Sequence, residues 1–196
     1  MRLLLIRHGE TLFNQLDYTQ GWVDSQLTEK GIRQAQYACK QIKNIHIDQA
    51  FSSYSERAYD TACLALKDRS IKVIRDKRLK EFHYGSFEGN PNNLLHSIHK
   101  TLPETYYNYR MFGGENTEDV IEREMNLIEE LSLKYPNQTI LLAGHGMSLK
   151  VLYEHIAYQS LMEKAPEYSF IGNGDVMLIE YNGRDSKIIE IYRNEV

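Results

Sequence analysis

Two short apolar runs that each end in histidine constrain this chain more than any other feature. Residues 3–14 read LLLIRHGETLFN, and residues 139–146 read TILLAGHG. In both, a continuous apolar stretch stops abruptly at polar groups. Such a run is what a strand looks like when both faces of its sheet are covered. In sheets of that kind, ligands bind beyond the carboxyl ends of the strands. If both strands are central and parallel, His8 and His145 emerge at the same edge of the sheet.

The pattern between them supports an α/β fold. Residues 28–43 carry Ile32, Ala35, Cys39 and Ile42 at helical spacing, with Thr28 as N-cap. DQAFSS (48–53) reads as a strand, and Ala58, Ala62 and Leu66 mark one face of a helix over 55–66. IKVI (71–74) is a third strand. Ile121, Met125, Ile128 and Leu131 line one side of a long helix over 115–134, which Pro136 and Asn137 stop. A helix over 147–158 turns Leu149, Leu152 and Ile156 inward. VMLIEY and IIEIY close the chain as a hairpin around NGRDS, where Asn182-Gly183 is a strong turn signal. Strands alternating with helices predict a three-layer α/β sandwich, with a mainly parallel central sheet and helices on both faces. The irregular, glycine- and aromatic-rich stretch 84–114 reads as a small lid insertion. A chain of 196 residues suits one domain over 1–196.

Composition narrows the function. A net charge of −4 gives no broad basic face for nucleic acid. No apolar run approaches the ~20 residues that span a bilayer. The N-terminal apolar run is too short for a signal peptide, so a cytoplasmic protein is expected. Cys39 and Cys63 sit in helical patterns and read as small buried hydrophobes, neither a disulfide nor a metal pair.

Three further pieces stand beside Arg7 and His8. SSYSERAYDTA (52–62) puts Arg57 in the first turn of a helix that follows a strand. LKEFHYGSFEG (79–89) offers Glu81 after the third strand. AGHG offers His145 and the N–H groups of a helix start at Gly146 and Met147. Two arginines, two histidines and a helix N-terminus make an anion pocket. One carboxylate, with no cluster at metal-ligand spacing, points to acid–base chemistry without metal or cofactor.

These segments resemble the histidine phosphatase superfamily, in the branch with cofactor-dependent phosphoglycerate mutases and small-molecule phosphatases. The matching stretches are RHGET at 7–11 with Asn14 downstream, GWVDSQLTEKG at 21–31, residues 52–62, residues 79–89, GGE at 113–115 and GHG at 144–146. They run in order across most of the chain. The resemblance implies that His8 accepts the phosphoryl group. Arg7, Arg57 and His145 would bind its oxygens, and Glu81 would donate the proton. Asn14, Gly146 and Tyr84 join them as substrate-binding candidates. The chemistry agrees. A neutral imidazole attacks phosphorus, and a carboxylic acid protonates the leaving alcohol and later activates water. The planar fork of arginine matches two phosphoryl oxygens better than lysine does. Gly9 is expected to give the backbone a sharp turn and room beside the imidazole.

Some positions stay open. Glu88 rivals Glu81 as proton donor, and Glu10 reads as structural. His96 and His99, three apart, have no third ligand nearby and read as a solvated helix face. Tyr106, Tyr107, Tyr109 and Phe112 either line a pocket or pack the lid. Family mutases hold a substrate carboxylate with extra arginines, one of them directly after the catalytic Glu. Here Phe82 takes that place, and residues 90–112 carry only Lys100 and Arg110. The expected reaction is therefore metal-independent hydrolysis of a small phosphate ester through a phosphohistidine. The alternative is a mutase-type isomerase. A non-catalytic phosphate-binding module is a third reading, opposed by the intact set of His8, Arg57, Glu81 and His145. Natural substrate and oligomeric state are open.

Overall fold

Leu3 and Leu5 lie in one apolar cluster and Leu4 and Ile6 in another, and all four are fully buried. Alternate side chains of one strand thus feed two cores, as the strand's period of two requires. The computed structural model describes residues 1–159 and 171–196. Its sheet comprises β1 (Arg2–Arg7), β2 (Gln49–Ser52), β3 (Val73–Arg75), β4 (Thr139–Gly144), β5 (Val176–Glu180) and β6 (Lys187–Tyr192). The spatial order is β3-β2-β4-β1-β5-β6. The first four strands are mutually parallel, while β5 runs antiparallel to both β1 and β6.

Helices cover both faces. On one side, α2 (Glu29–Gln41) and α3 (Glu56–Ala65) pack Ala38, Ala62 and Ala65 against Leu4, Ile6, Leu141 and Ala143. On the other, α5 (Thr117–Lys134) and α6 (Gly146–Gln159) pack Ile128, Leu131, Leu149, Leu152 and Ile156 against Leu3, Leu5 and Leu142. The expected three-layer architecture is present. Local signals account for the helix starts. Thr28 accepts the Gly31 N–H, and Asn116 and Asp119 form a reciprocal capping box on α5. A one-turn helix α1 (Leu12–Gln15) follows β1, capped in the same way by Thr11 and Asn14. Among the described residues no helix is long and apolar enough to cross a membrane.

The region 84–114 holds α4 (Asn92–Thr101) and short 3-10 turns. It has a core of its own in which Phe82, Tyr84, Phe87, Leu95 and Tyr109 pack with Val120 and Val151. Its entry is tied to residues 17–19 through Thr19 N–H to Asn90 O and Asn92 N–H to Asp17 O.

Two local expectations are corrected. Ile32 is exposed, because α2 turns Gly31, Ala35 and Ala38 inward. A side chain at Gly31 would collide with the Glu10 carbonyl, so that face sits close to the backbone after β1. The β5–β6 connection is longer than a two-residue turn. Asn182 has φ −143°, and only Gly183 has positive φ, whereas the tight hairpin turn needs both. A 3-10 turn over Gly183–Asp185 replaces it, fastened by the Asn182 N–H donating to Ser186 Oγ at 3.0 Å.

Candidate active site

Strand register brings the two histidines together. Arg7 pairs with Gly144 across β1 and β4, so the residues that follow, His8 and His145, leave neighbouring strand ends. The His8 N–H donates to Gly144 O at 3.1 Å, and the two imidazoles meet edge-on with ring centres 5.2 Å apart. Both are buried. A carbonyl only accepts, so the 2.8 Å contact between His8 Nδ1 and Gly9 O makes Nδ1 the N–H and leaves Nε2 with a lone pair. Burial holds the His8 imidazolium well below its ordinary range, and the charges of Arg57 and Arg7 depress it further. His145 is depressed for the same reasons, burial first and then Arg57. Both rings are therefore neutral at physiological pH.

Gly9 has a duty the sequence did not suggest. A side chain there would collide with the Gly31 carbonyl, so Gly9 admits the start of α2.

Arg57, 1 % exposed, is held by the loop that precedes α2. Its Nη2 donates to Gly21 O at 2.7 Å, and Nη1 donates to Val23 O at 3.0 Å and Asp24 Oδ1 at 2.8 Å. Its buried Nε has no hydrogen-bond partner among the described residues, and neither has either ring nitrogen of His145. Arg7 donates through Nη1 to Ile171 O at 2.8 Å and packs against Gly146, where a side chain would press on its guanidinium. Asn14 Oδ1 receives Thr11 N–H and Oγ1–H and faces Asn173 Nδ2, which also donates to the His8 carbonyl at 3.0 Å.

The helix start at Gly146 differs from expectation. The N–H groups of Met147 and Ser148 donate to the Glu81 carboxylate at 3.1 and 2.8 Å. The positive end of α6 is therefore capped by the protein's own carboxyl group. The Phe82 N–H adds a third donor at 2.9 Å. Trp22 Nε1 and Arg123 Nη2 fix the Glu81 carbonyl at 2.9 and 3.0 Å. Glu88 occupies another place. Its carboxylate accepts from the N–H groups of Trp22, Val23 and Tyr84 at 2.9, 3.2 and 3.0 Å, and so braces the loop that grips Arg57.

Arg7, His8, Asn14, Arg57, Glu81, Tyr84 and Gly146 line one cavity of about 350 Å³. His145 is fully buried beneath His8. His96 and His99 line the same cavity, where α4 folds over the strand ends. His96 stays exposed, as a solvated face requires, and His99 alone departs from that reading, half-buried against Tyr106 and Tyr109. Tyr106, Tyr107 and Tyr109 are also in its wall, whereas Phe112 packs on Phe87 with ring centres 4.7 Å apart. Glu10 receives the Thr28 hydroxyl at 2.9 Å and pairs with Lys30, a structural use as expected. Trp22, Asp24, Arg123 and Asn173 escaped the sequence reading as supports. Only GWVD within the matched stretches hinted at the first two.

Glu124 on α5 is a carboxylate that no sequence pattern flagged. It is fully buried. No hydrogen bond of good geometry reaches either oxygen among the described residues, although the Ser148 hydroxyl stands close by. Burial pushes its carboxyl up to about 8, the nearby Glu81 adding to the effect and Arg123 opposing it. An acid bound more tightly by the folded chain than by the unfolded one costs stability as pH rises. That cost is absent below the ordinary value of 4.5, grows from there to about 8, and is complete above it. Glu124→Gln should therefore gain on the wild type between pH 5 and pH 9, by on the order of 3–5 kcal/mol. Denaturant unfolding at the two pH values measures this, and a difference that stays constant with pH refutes it.

The fold and this cavity define an α/β protein with a cleft that Arg7, Arg57, His8 and Glu81 line at the carboxyl edge of its sheet. The chain belongs to the histidine phosphatase superfamily, branch 1, whose family pattern matches residues 3–194. It is 27 % identical to phosphoserine phosphatase 1 of Hydrogenobacter thermophilus, over 78 % of this chain and 74 % of that one. It is 32 % identical to a 2,3-bisphosphoglycerate-dependent phosphoglycerate mutase of Corynebacterium kroppenstedtii, over 79 % and 76 %. Among solved structures, a mycobacterial glucosyl-3-phosphoglycerate phosphatase superposes with a TM-score of 0.80 at 27 % identity, covering 98 % of both chains.

Proposed function

We propose that the protein hydrolyses a small phosphomonoester through a phosphohistidine on His8. The observation that carries this reading is the His8 imidazole itself. It is neutral, its Nδ1–H is committed to Gly9 O, and its Nε2 is left as nucleophile in a cavity shared with Arg7, Arg57 and Glu81. Unpartnered buried polar atoms are costly, and Arg57 Nε and the two nitrogens of His145 cluster around this spot. A phosphoryl group supplies acceptors for the Arg57 Nε–H and for the one N–H of a neutral His145.

In the first step Nε2 attacks phosphorus, and the P–O bond to the alcohol breaks in line. Arg7 and Arg57 balance charge on the non-bridging oxygens. Glu81, anchored on the first turn of α6, gives its proton to the departing alkoxide. In the second step the Glu81 carboxylate takes a proton from water, whose oxygen attacks phosphorus. Inorganic phosphate leaves, and His8 is neutral again. Backbone donors hold Glu81 in place throughout, so neither step needs a large rearrangement.

Hydrolysis is favoured over isomerisation by what lines the cavity. Among the described residues there, Arg7 and Arg57 are the only side chains with a fixed positive charge. A phosphoglycerate carboxylate would find no further cation among the described residues of the lining. The test is release of inorganic phosphate from a panel of monoesters with and without EDTA. Equal release in both arms is expected. Dependence on added metal ions refutes the reading. Transfer of phosphate between the two hydroxyls of phosphoglycerate that outpaces its release makes the protein an isomerase.

A further inference from the structure

We propose that the substrates of this site are phosphomonoesters whose alcohol is uncharged and carries an aromatic ring, seated under a roof made by His99, Tyr106, Tyr107 and Tyr109. The proposal rests on the phosphatase reading above and adds the chemistry of the leaving group.

Three observations carry it. The first is continuity of ring surface. His99 meets Tyr106 and Tyr109 with ring centres 4.9 and 5.8 Å apart, and Tyr106 meets Tyr107 at 4.3 Å. Tyr109 in turn meets Tyr84, at 4.8 Å, beside the phosphate end. An aromatic arc therefore runs from the roof to the reacting centre, and all of these rings line the cavity.

The second is charge. No arginine or lysine of the described residues lines this half of the cavity. Lys150 is nearby, but its ammonium donates to Tyr107 Oη at 3.0 Å and lies 3.8 Å from the Glu154 carboxylate. Burial and the neighbouring His96 hold the His99 imidazolium below its ordinary range. A carboxylate or second phosphate on the alcohol would lose its hydration here and find no cation among the described residues in return.

The third is that several polar groups of the wall are already engaged, and the one buried ring nitrogen left without a partner among the described residues of the roof, His99 Nε2, is a single site rather than the array a sugar needs. The Asn92 side chain accepts from Thr19 Oγ1 at 2.6 Å and donates to Asp17 Oδ1 at 2.7 Å, so both ends of its amide are used. Gln20 Oε1 receives the Ser25 hydroxyl, and Tyr107 Oη receives Lys150. A polyhydroxylated sugar needs free donors and acceptors in the wall, whereas an aromatic ring needs faces and edges. Tyr107 itself sits at φ 62°, a left-handed conformation unusual for a bulky residue. It is kept there by Thr117 N–H donating to its carbonyl at 3.0 Å. Strain of this kind persists where the surroundings impose it, and it places the Tyr107 ring in the roof.

The experiment compares 2-phenylethyl phosphate, ethyl phosphate and 3-phosphoglycerate, which share alkyl leaving groups and differ in ring and charge. Two readings are taken: kcat/KM on the wild type, and calorimetric affinity for the His8→Ala variant. The second reports the preference of the roof even if no ester turns over. The phenylethyl ester is expected to be favoured over ethyl phosphate by roughly tenfold or more, the scale of one aromatic stack. 3-Phosphoglycerate is expected to be the poorest. Tyr106 is 56 % exposed, so its replacement leaves the folded core untouched. Tyr106→Ala should cut the phenylethyl-to-ethyl ratio several-fold, Tyr106→Phe should retain it, and Tyr106→Lys should move preference toward 3-phosphoglycerate. A ratio near one, a preference for 3-phosphoglycerate in the wild type, or a ratio indifferent to Tyr106→Ala overturns the proposal. Absence of turnover on all three esters, with the affinity order intact, refutes the phosphatase reading alone.

Discussion

His8→Ala is expected to lower phosphate release by about 10⁴-fold or more, the scale on which loss of a nucleophile acts. The fold should survive. The hydrogen bond of the His8 ring is to the carbonyl of its own neighbour, Gly9, and the strand that carries it is fixed by backbone pairing with β4 and β5. Rapid quench during turnover should trap a phosphate label on wild-type protein that is stable in base and labile in acid, and none on the variant. Label at another residue refutes the assignment. The pH profile is a second check. Because burial and the two arginines hold the His8 imidazolium well below its ordinary range, the neutral nucleophile persists as pH falls through 6.5. The acid limb of kcat/KM should therefore lie below that of a free imidazole.

Glu81→Gln should slow alkyl phosphates by about 10²–10⁴-fold, the share of a general acid. It should slow p-nitrophenyl phosphate far less, because that phenolate departs without a proton. Glu88→Gln should behave differently. Glu88 receives three backbone N–H groups from the segment that carries Gly21 and Val23 and from Tyr84. Its loss loosens the carbonyls that grip Arg57, and so should slow both esters alike. If the leaving-group dependence follows Glu88 and not Glu81, the proton donor is misassigned. Both carboxylates accept three backbone donors, so the comparison is between like substitutions in unlike places.

What the sequence could and could not reveal follows from the range of the forces involved. Apolar runs and helical spacing are local, and they located β1, β4, α3, α5 and α6 with the faces they bury. The boundary of β3 shifted by two residues. Ile32 lay off the expected face, because the approach of Gly31 to the Glu10 carbonyl sets the rotation of α2. The Asn182-Gly183 signal marked the right place but not the turn, which Ser186 closes with its hydroxyl.

The site divides in the same way. That His8 and His145 share an edge was legible, because each ends an apolar run and buried parallel strands expose their carboxyl ends together. The duties of Glu81, Glu88, His96 and His99 were not legible. They depend on partners far along the chain. Two of the three N–H groups that hold Glu81 come from residues 66 and 67 positions away. Two of the three that hold Glu88 come from the loop at 22–23, 65 and 66 positions away. His96 and His99 have the spacing of a solvated helix face, which His96 remains, and only the docking of α4 over the strand ends half-buries His99 in the cavity wall. Composition and period determined the layers, the strand ends and the pair of imidazoles. Tertiary structure alone decided which carboxylate meets the first turn of α6, since a hydrogen bond between distant segments leaves no periodic trace in either.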